Sequence, residues 1–196
     1  MPPHPLPIRR GPAARRGFTL VELLIVLVVL GVLTAFAVPR IDPYHYRVEG
    51  SMRTLGSALQ AAQREAVGAQ HDVVVSFDTA GRRIRIHSDL DNDHVEDAGE
   101  RVRTVGLDDA VVFGRPSGVP ARGFGAAAVA FDAVGGRPAV VFHRNGSASE
   151  SGGFYLTSAR ALADPSRAAD TRAIQFERAT GRSDWYRYQG AWQRGF

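Results

Sequence analysis

The stretch RRGFTLVELLIVLVVLGVLTAFAVP, residues 15–39, decides how this chain is read. Two basic residues, a glycine and a phenylalanine lead into an apolar run whose one charged residue is Glu22. A helix from Phe18 to Val38 would rise ~31 Å, enough to cross the hydrocarbon core of a bilayer. A cleaved secretory signal would be shorter and would end in a small-residue site, whereas Pro39-Arg40 follows here. A plain signal anchor explains the hydrophobicity and the basic flank but not Glu22. A carboxylate in a spanning segment costs on the order of 2.5–3.5 kcal/mol near the centre, less toward an end, so a partner is expected for it.

Arg16-Gly17-Phe18-Thr19-Leu20-Val21-Glu22-Leu23 resembles the prepilin signature of type IV pilins and type II secretion pseudopilins. The resemblance implies cleavage between Gly17 and Phe18 by prepilin peptidase, then N-methylation of Phe18. Glu22 becomes the fifth residue of the mature chain, where the family has its glutamate. Pro39 falls where many pilins kink their long helix. The chemistry agrees with what the resemblance implies. Gly17 has no Cβ, so a peptidase can approach its backbone closely. Cleavage creates an amine at the membrane edge, one helical turn from Glu22. In staggered subunits, the amine of one meets the carboxylate of another and relieves an isolated charge.

The 196 residues suit one domain plus a tail. Without cysteine, disulfides, thiolate metal sites and cysteine nucleophiles are excluded. The net charge of +4 points toward nucleic acid until it is located. Arg9, Arg10, Arg15 and Arg16 all precede Phe18, with no acid among residues 1–17. Subtracting those four charges leaves zero for the rest of the chain. The basic excess therefore reads as a cytoplasmic topology signal under the positive-inside rule. The remainder is expected on the periplasmic side of the inner membrane, or outside the cell where there is no outer membrane.

Residues 1–14 are rich in proline and are expected to be disordered before cleavage. Beyond Pro39 and Pro43 a helical stripe appears: Val48, Met52, Leu55, Leu59, Ala62, Ala66 and Ala69, spaced by threes and fours. It predicts an amphipathic continuation of the helix over about 46–69, packed mainly on the chain's own sheet. Strands are expected over 72–78, 82–88, 101–107, 110–114, 128–133, 139–144, 154–159, 172–179 and 185–189. Residues 115–126 read as a Gly/Pro loop and 160–170 as a polar loop. The expected fold class is α+β. Its parts are a leader over 1–17, a transmembrane helix over 18–38, a continuation over 39–70 and a β-rich domain over 71–196. This layout resembles the minor pseudopilin group of GspH and FimT.

Three constellations stand out beyond the signature. In DLDNDHVEDAGE, residues 89–100, the residues Asp89, Asp91, Asp93, Asp97 and Glu100 fall at positions 1, 3, 5, 9 and 12, with the Val95 carbonyl at 7. That is the ligand spacing of a calcium loop, although His94 stands at the turn glycine and strands flank it. The bland alternative is a solvated acidic loop. Second, the C-terminal run interleaves Arg182, Arg187 and Arg194 with Trp185, Tyr186, Tyr188 and Trp192, a composition that suits single-stranded nucleic acid. FimT-type pilins take up DNA through Gly-Arg-x-Arg, and here Asp184 replaces the second arginine of Gly181-Arg182-Ser183-Asp184. A final hairpin with one buried aromatic face is the alternative. Third, the histidines show no helical metal spacing and are expected at the surface.

No catalytic constellation emerges, so the chain is read as a structural subunit and not an enzyme. The expectation is a minor pseudopilin of a type II secretion system, with other pseudopilins, prepilin peptidase and the inner membrane as partners. No cofactor is required, and calcium is the one candidate. The alternative is a FimT-like minor pilin of a type IV pilus, with DNA as its partner.

Overall fold

The computed structural model describes residues 17–37 and 42–195. The chain divides into two compact units, Met1–Asp42 and Pro43–Phe196.

In the first unit α1 spans Leu20–Ala37. It starts two residues later than Phe18 because Thr19 caps it. The Thr19 Oγ1 accepts from the Glu22 N–H at 3.1 Å, and the Glu22 carboxylate reaches back to the Thr19 N–H at 3.5 Å. This is a reciprocal capping box, and such a cap contributes about 1 kcal/mol. Its 18 residues rise ~27 Å. Among the described residues, no helix is long and apolar enough to cross a membrane. Pro39 and the kink expected there lie outside the described residues, as do residues 1–16.

The second unit begins with α2, Pro43–Ala69. Six of the seven residues in its predicted stripe are buried, and Ala69 at the end is exposed. Among the described residues the eleven strands are β1 Asp72–Asp78, β2 Arg83–Asp89, β3 Arg101–Gly106, β4 Val111–Phe113, β5 Val129–Ala130, β6 Ala133–Val134, β7 Arg137–Phe142, β8 Gly152–Ser158, β9 Arg172–Phe176, β10 Ser183–Tyr188 and β11 Trp192–Arg194. They form two antiparallel sheets. The order in one is β3-β2-β1-β7-β6, and in the other β11-β10-β9-β8-β4, with β5 also on β8.

The stripe of α2 meets the inner faces of both sheets in one core. Phe77 is its pivot, in ring contact with Phe113, Phe131 and Phe154. Each such side chain contributes about 1.5–3 kcal/mol on full burial. Gly56 lets α2 approach the second sheet, because a Cβ there would occupy the space of the Trp185 ring.

Two expectations are corrected. The strand expected over 128–133 is two short strands, because the chain changes sheets there. Val129 pairs with β8, Ala133 pairs with β7, and Phe131 between them turns inward to stack on Phe77 at 5.4 Å. The loop expected over 160–170 is α3, Ala159–Ala163, followed by a 3-10 helix, Pro165–Asp170. Asp164 caps the latter by accepting from the Ser166 N–H, with Pro165 at its first position.

One ionic cluster docks the start of α2 on β9. The Arg172 side chain is 2% exposed and meets Glu49 at 3.2 Å. Its remaining donors go to the carbonyls of Ala169 and Thr171, and it lies against the His45 ring. Farther along α2, Glu65 accepts from Ser88, Arg101 and Arg103 and so ties the helix to β2 and β3. Burial pushes the Glu65 carboxyl up. The bonds from Ser88 and Arg101 and the charges of Arg101 and Arg103 outweigh that and hold it below the ordinary value.

Candidate functional site

The N-terminal signature presents its chemistry at the surface. Gly17 and Phe18 precede the helix without regular structure, and Phe18 is 82% exposed. Leu20 to Ala35 are all exposed, so α1 carries an apolar surface that no other described residue of its unit covers. Glu22 stands in the first turn with its carboxylate folded back on Thr19. The capping arrangement gives this acid a local partner, which the sequence reading had not found. Its signal was present as Thr19-x-x-Glu22, a threonine three residues before a glutamate at a helix start.

The acidic loop brings together half of its candidate ligands. Asp89 is fully buried at the end of β2. It accepts from the Asp93 N–H at 3.2 Å and the His94 N–H at 2.9 Å, which folds the loop over it. Asp89, Asp91 and Asp93 each offer a carboxylate oxygen within 4.8 Å of the others. Lost hydration and the charges of Asp93, Glu100 and Asp89 push the Asp91 carboxyl above its ordinary value. A divalent cation would relieve that crowding.

Asp97 and Glu100 are outside the three-carboxylate group. Glu100 closes the base of the loop, accepting from the N–H groups of Asp97 and Leu90 and meeting His87 Nε2 at 2.5 Å. The Asp97 N–H, His87 and the Leu90 N–H hold Glu100 down at about 2. The Val95 N–H donates to Asp93, and the Val95 side chain is exposed. His94 adopts φ +64, the left-handed conformation that glycine supplies in ordinary calcium loops.

Three of the described histidines meet carboxylates, and one of them, His87, is against expectation not at the surface. His87 is buried on Glu100. His94 and His143 both meet one oxygen of Asp72, at 3.3 and 2.8 Å. Their partners lie 13 to 71 residues away, so spacing along the chain carries no sign of them.

The C-terminal arginines have partners at the surface. Arg182 holds both oxygens of Asp184 at 3.0 and 3.2 Å, and Arg194 holds one at 2.5 Å. Arg187 donates to Gln193 at 3.3 Å. Gly181 has φ +61 at a turn where a Cβ would meet the Gly146 carbonyl and Gln63, which gives it a structural reason. Trp185 packs against the core, while Trp192 donates to the Pro120 carbonyl and stacks with Tyr155 and Tyr188. The aromatic residues thus pack in two directions and offer no open row of rings.

A family model described as the prokaryotic N-terminal methylation motif matches residues 12–38. Over 53 residues the chain is 42% identical to the pilin-like protein PilA1 of Thermus thermophilus, covering 27% of this chain and 34% of that protein. The chain therefore spans about a third of the length of this curated relative. Among solved structures it is similar to the minor pseudopilin EpsH from the Type 2 Secretion System of Vibrio cholerae. That likeness has a TM-score of 0.44 and 12% identity, and covers 71% of this chain and 95% of the other. What the family model shares with this chain is its N-terminal segment: residues 12–38 carry the prokaryotic N-terminal methylation motif.

Proposed function

We propose that this chain is a minor pseudopilin of the GspH kind, a structural subunit of a type II secretion pseudopilus. One observation carries the reading: an apolar helix, exposed from Leu20 to Ala35, lies within the residues that match the N-terminal methylation motif. Such a surface has to be covered by lipid before assembly and by neighbouring subunits after it. In this reading the segment from Phe18 to Val38 anchors the chain once in the inner membrane. The N-terminus is cytoplasmic and residues 43–196 are periplasmic. Prepilin peptidase cuts after Gly17, and Phe18 is N-methylated. The protein does no chemistry of its own.

Before assembly, Glu22 is satisfied by the Thr19 N–H. That bond is long, at 3.5 Å, so the N-terminal amine of a neighbouring subunit is the better partner. The FimT-like alternative shares all of this and adds DNA. Its contacts would fall to Arg182 and Arg187, and Asp184 neutralises the first of them. We therefore place the secretion reading first.

The test is Glu22→Val. The variant should be processed, inserted and folded, since it removes a charge from lipid. It should fail to co-purify with the other filament subunits. Normal incorporation would remove Glu22 from the assembly mechanism.

A further inference from the structure

The sheet face turned away from α2 carries a second, smaller apolar cluster of Val74, Ala139 and Val141, with Val134 packed on it. Over this face lies a cleft of about 500 Å³. Ligand pockets run from about 300 to 1,000 Å³. Val74 and Ser76 of β1 and Arg85 and His87 of β2 line the cleft, with Val95, Glu96, His94 and Asp93 of the acidic loop on one side, the Asp93 carboxylate accepting from the Val95 N–H at 2.7 Å, and Val134 and Arg137 on the other.

The β6–β7 hairpin sets the second side. Its two-residue turn, Gly135-Gly136, has φ +58 and +79, the signature of a tight type I′ connection. That turn places Arg137 directly opposite Val134. Among the described residues no carboxylate lies within ion-pair distance of Arg137. Asp78, which feels it as a more distant charge, is bonded to Arg83 at 2.9 Å and to the Gly81 N–H at 2.8 Å. Arg85 spends one nitrogen on Glu96 at 2.7 Å, a pair with half-exposed Glu96 that contributes little and exchanges readily. The Ser76 hydroxyl has no hydrogen-bond partner among the described residues. Val95 is 56% exposed at the rim, although its loop is otherwise acidic.

We propose that this cleft binds an extended peptide segment of a partner protein, one that presents a carboxylate beside an apolar side chain. The carboxylate would sit on Arg137, with Arg85 and Ser76 as further donors. The apolar group would lie against Val134 and Val95. An exposed guanidinium without an acid suits a forked oxyanion, and the adjoining valines favour a peptide over a bare ion. The inference is independent of the filament reading, because every residue of the cleft lies within one unit of the fold.

The test uses the full chain in detergent and two fluorescein-labelled tripeptide amides, Leu-Glu-Leu and Leu-Gln-Leu, read by anisotropy. The Glu peptide should bind saturably and about tenfold more tightly than the Gln peptide, the order of a charge-assisted pair. Arg137→Gln should erase that preference and leave the melting temperature unchanged, since Arg137 is exposed at a turn. Val95→Ser should weaken both peptides equally. Equal binding of the two peptides, absence of saturable binding, or a preference that survives Arg137→Gln would overturn the proposal. Displacement of the peptide by inorganic phosphate at lower concentration than by acetate would also overturn it, in favour of a phosphorylated ligand.

Discussion

Replacing Arg172 by methionine probes the joint that holds α2 on the second sheet. The side chain is 2% exposed, and its partner Glu49 is 16% exposed. Methionine keeps much of the volume and the apolar stem but leaves Glu49 with only the long contact from exposed Arg53, at 3.4 Å, and the carbonyls of Ala169 and Thr171 without a donor. Breaking a buried ion pair from one side costs up to about 3–5 kcal/mol, because the remaining charge stays desolvated; the Arg53 contact to Glu49 offsets part of it. For a unit of this size the full cost corresponds to a drop of about 6–20 °C in melting temperature.

The assay is urea and thermal unfolding of the fragment from Pro43 onward, the unit that contains its own core. A double-mutant cycle with Glu49→Gln should give a coupling of about 0.5–3 kcal/mol, the range for residues in direct contact. Arg172→Lys should recover only part of the loss, because an ammonium cannot fork to two carbonyls and a carboxylate. A loss below about 1 kcal/mol, the value of an exposed pair, would refute the reasoning. So would strict additivity of the two changes, since it would mean that Arg172 and Glu49 do not act together.

Two further predictions concern the acidic loop. If the loop holds calcium, added calcium should raise the melting temperature of the same fragment, by the linkage that gives about 2.7 kcal/mol at a hundredfold excess over Kd. Asp91→Ala should abolish the gain, and no shift at millimolar calcium would leave a solvated loop. Glu100 has a folded-state value of about 2 against an ordinary 4.5. Its stabilisation is therefore complete above 4.5 and is lost as the pH falls from there through about 2. Glu100→Gln should flatten the acid limb of the stability curve in that window, and an unchanged limb would show that the group does not titrate with folding.

The two helices were legible because their signals are local. The α2 stripe needs only a 3.6-residue period, and its six leading members are the buried ones. The first strands were legible for the same reason: DVVVSFD forms β1 over the residues expected. What was not legible depends on residues distant in sequence. No local pattern says that β1 pairs with β7 or that the strands divide between two sheets. The spacing of Asp89, Asp91 and Asp93 on one loop did foretell their convergence. Glu100 fits the same spacing, but its carboxylate is taken by His87, a residue on β2 that loop spacing does not include. At the C-terminus the composition does not say that one acid, Asp184, meets both Arg182 and Arg194.

The central claim is that the chain begins its working life at Phe18, and intact-mass and peptide mass spectrometry test it most directly. Protein isolated from cells containing prepilin peptidase should lack residues 1–17 and should carry one methyl group on the α-amine of Phe18. Cells without the peptidase should keep the Gly17–Phe18 bond. An unprocessed N-terminus in the presence of the peptidase, or cleavage beyond the apolar helix after residue 37, would contradict the account.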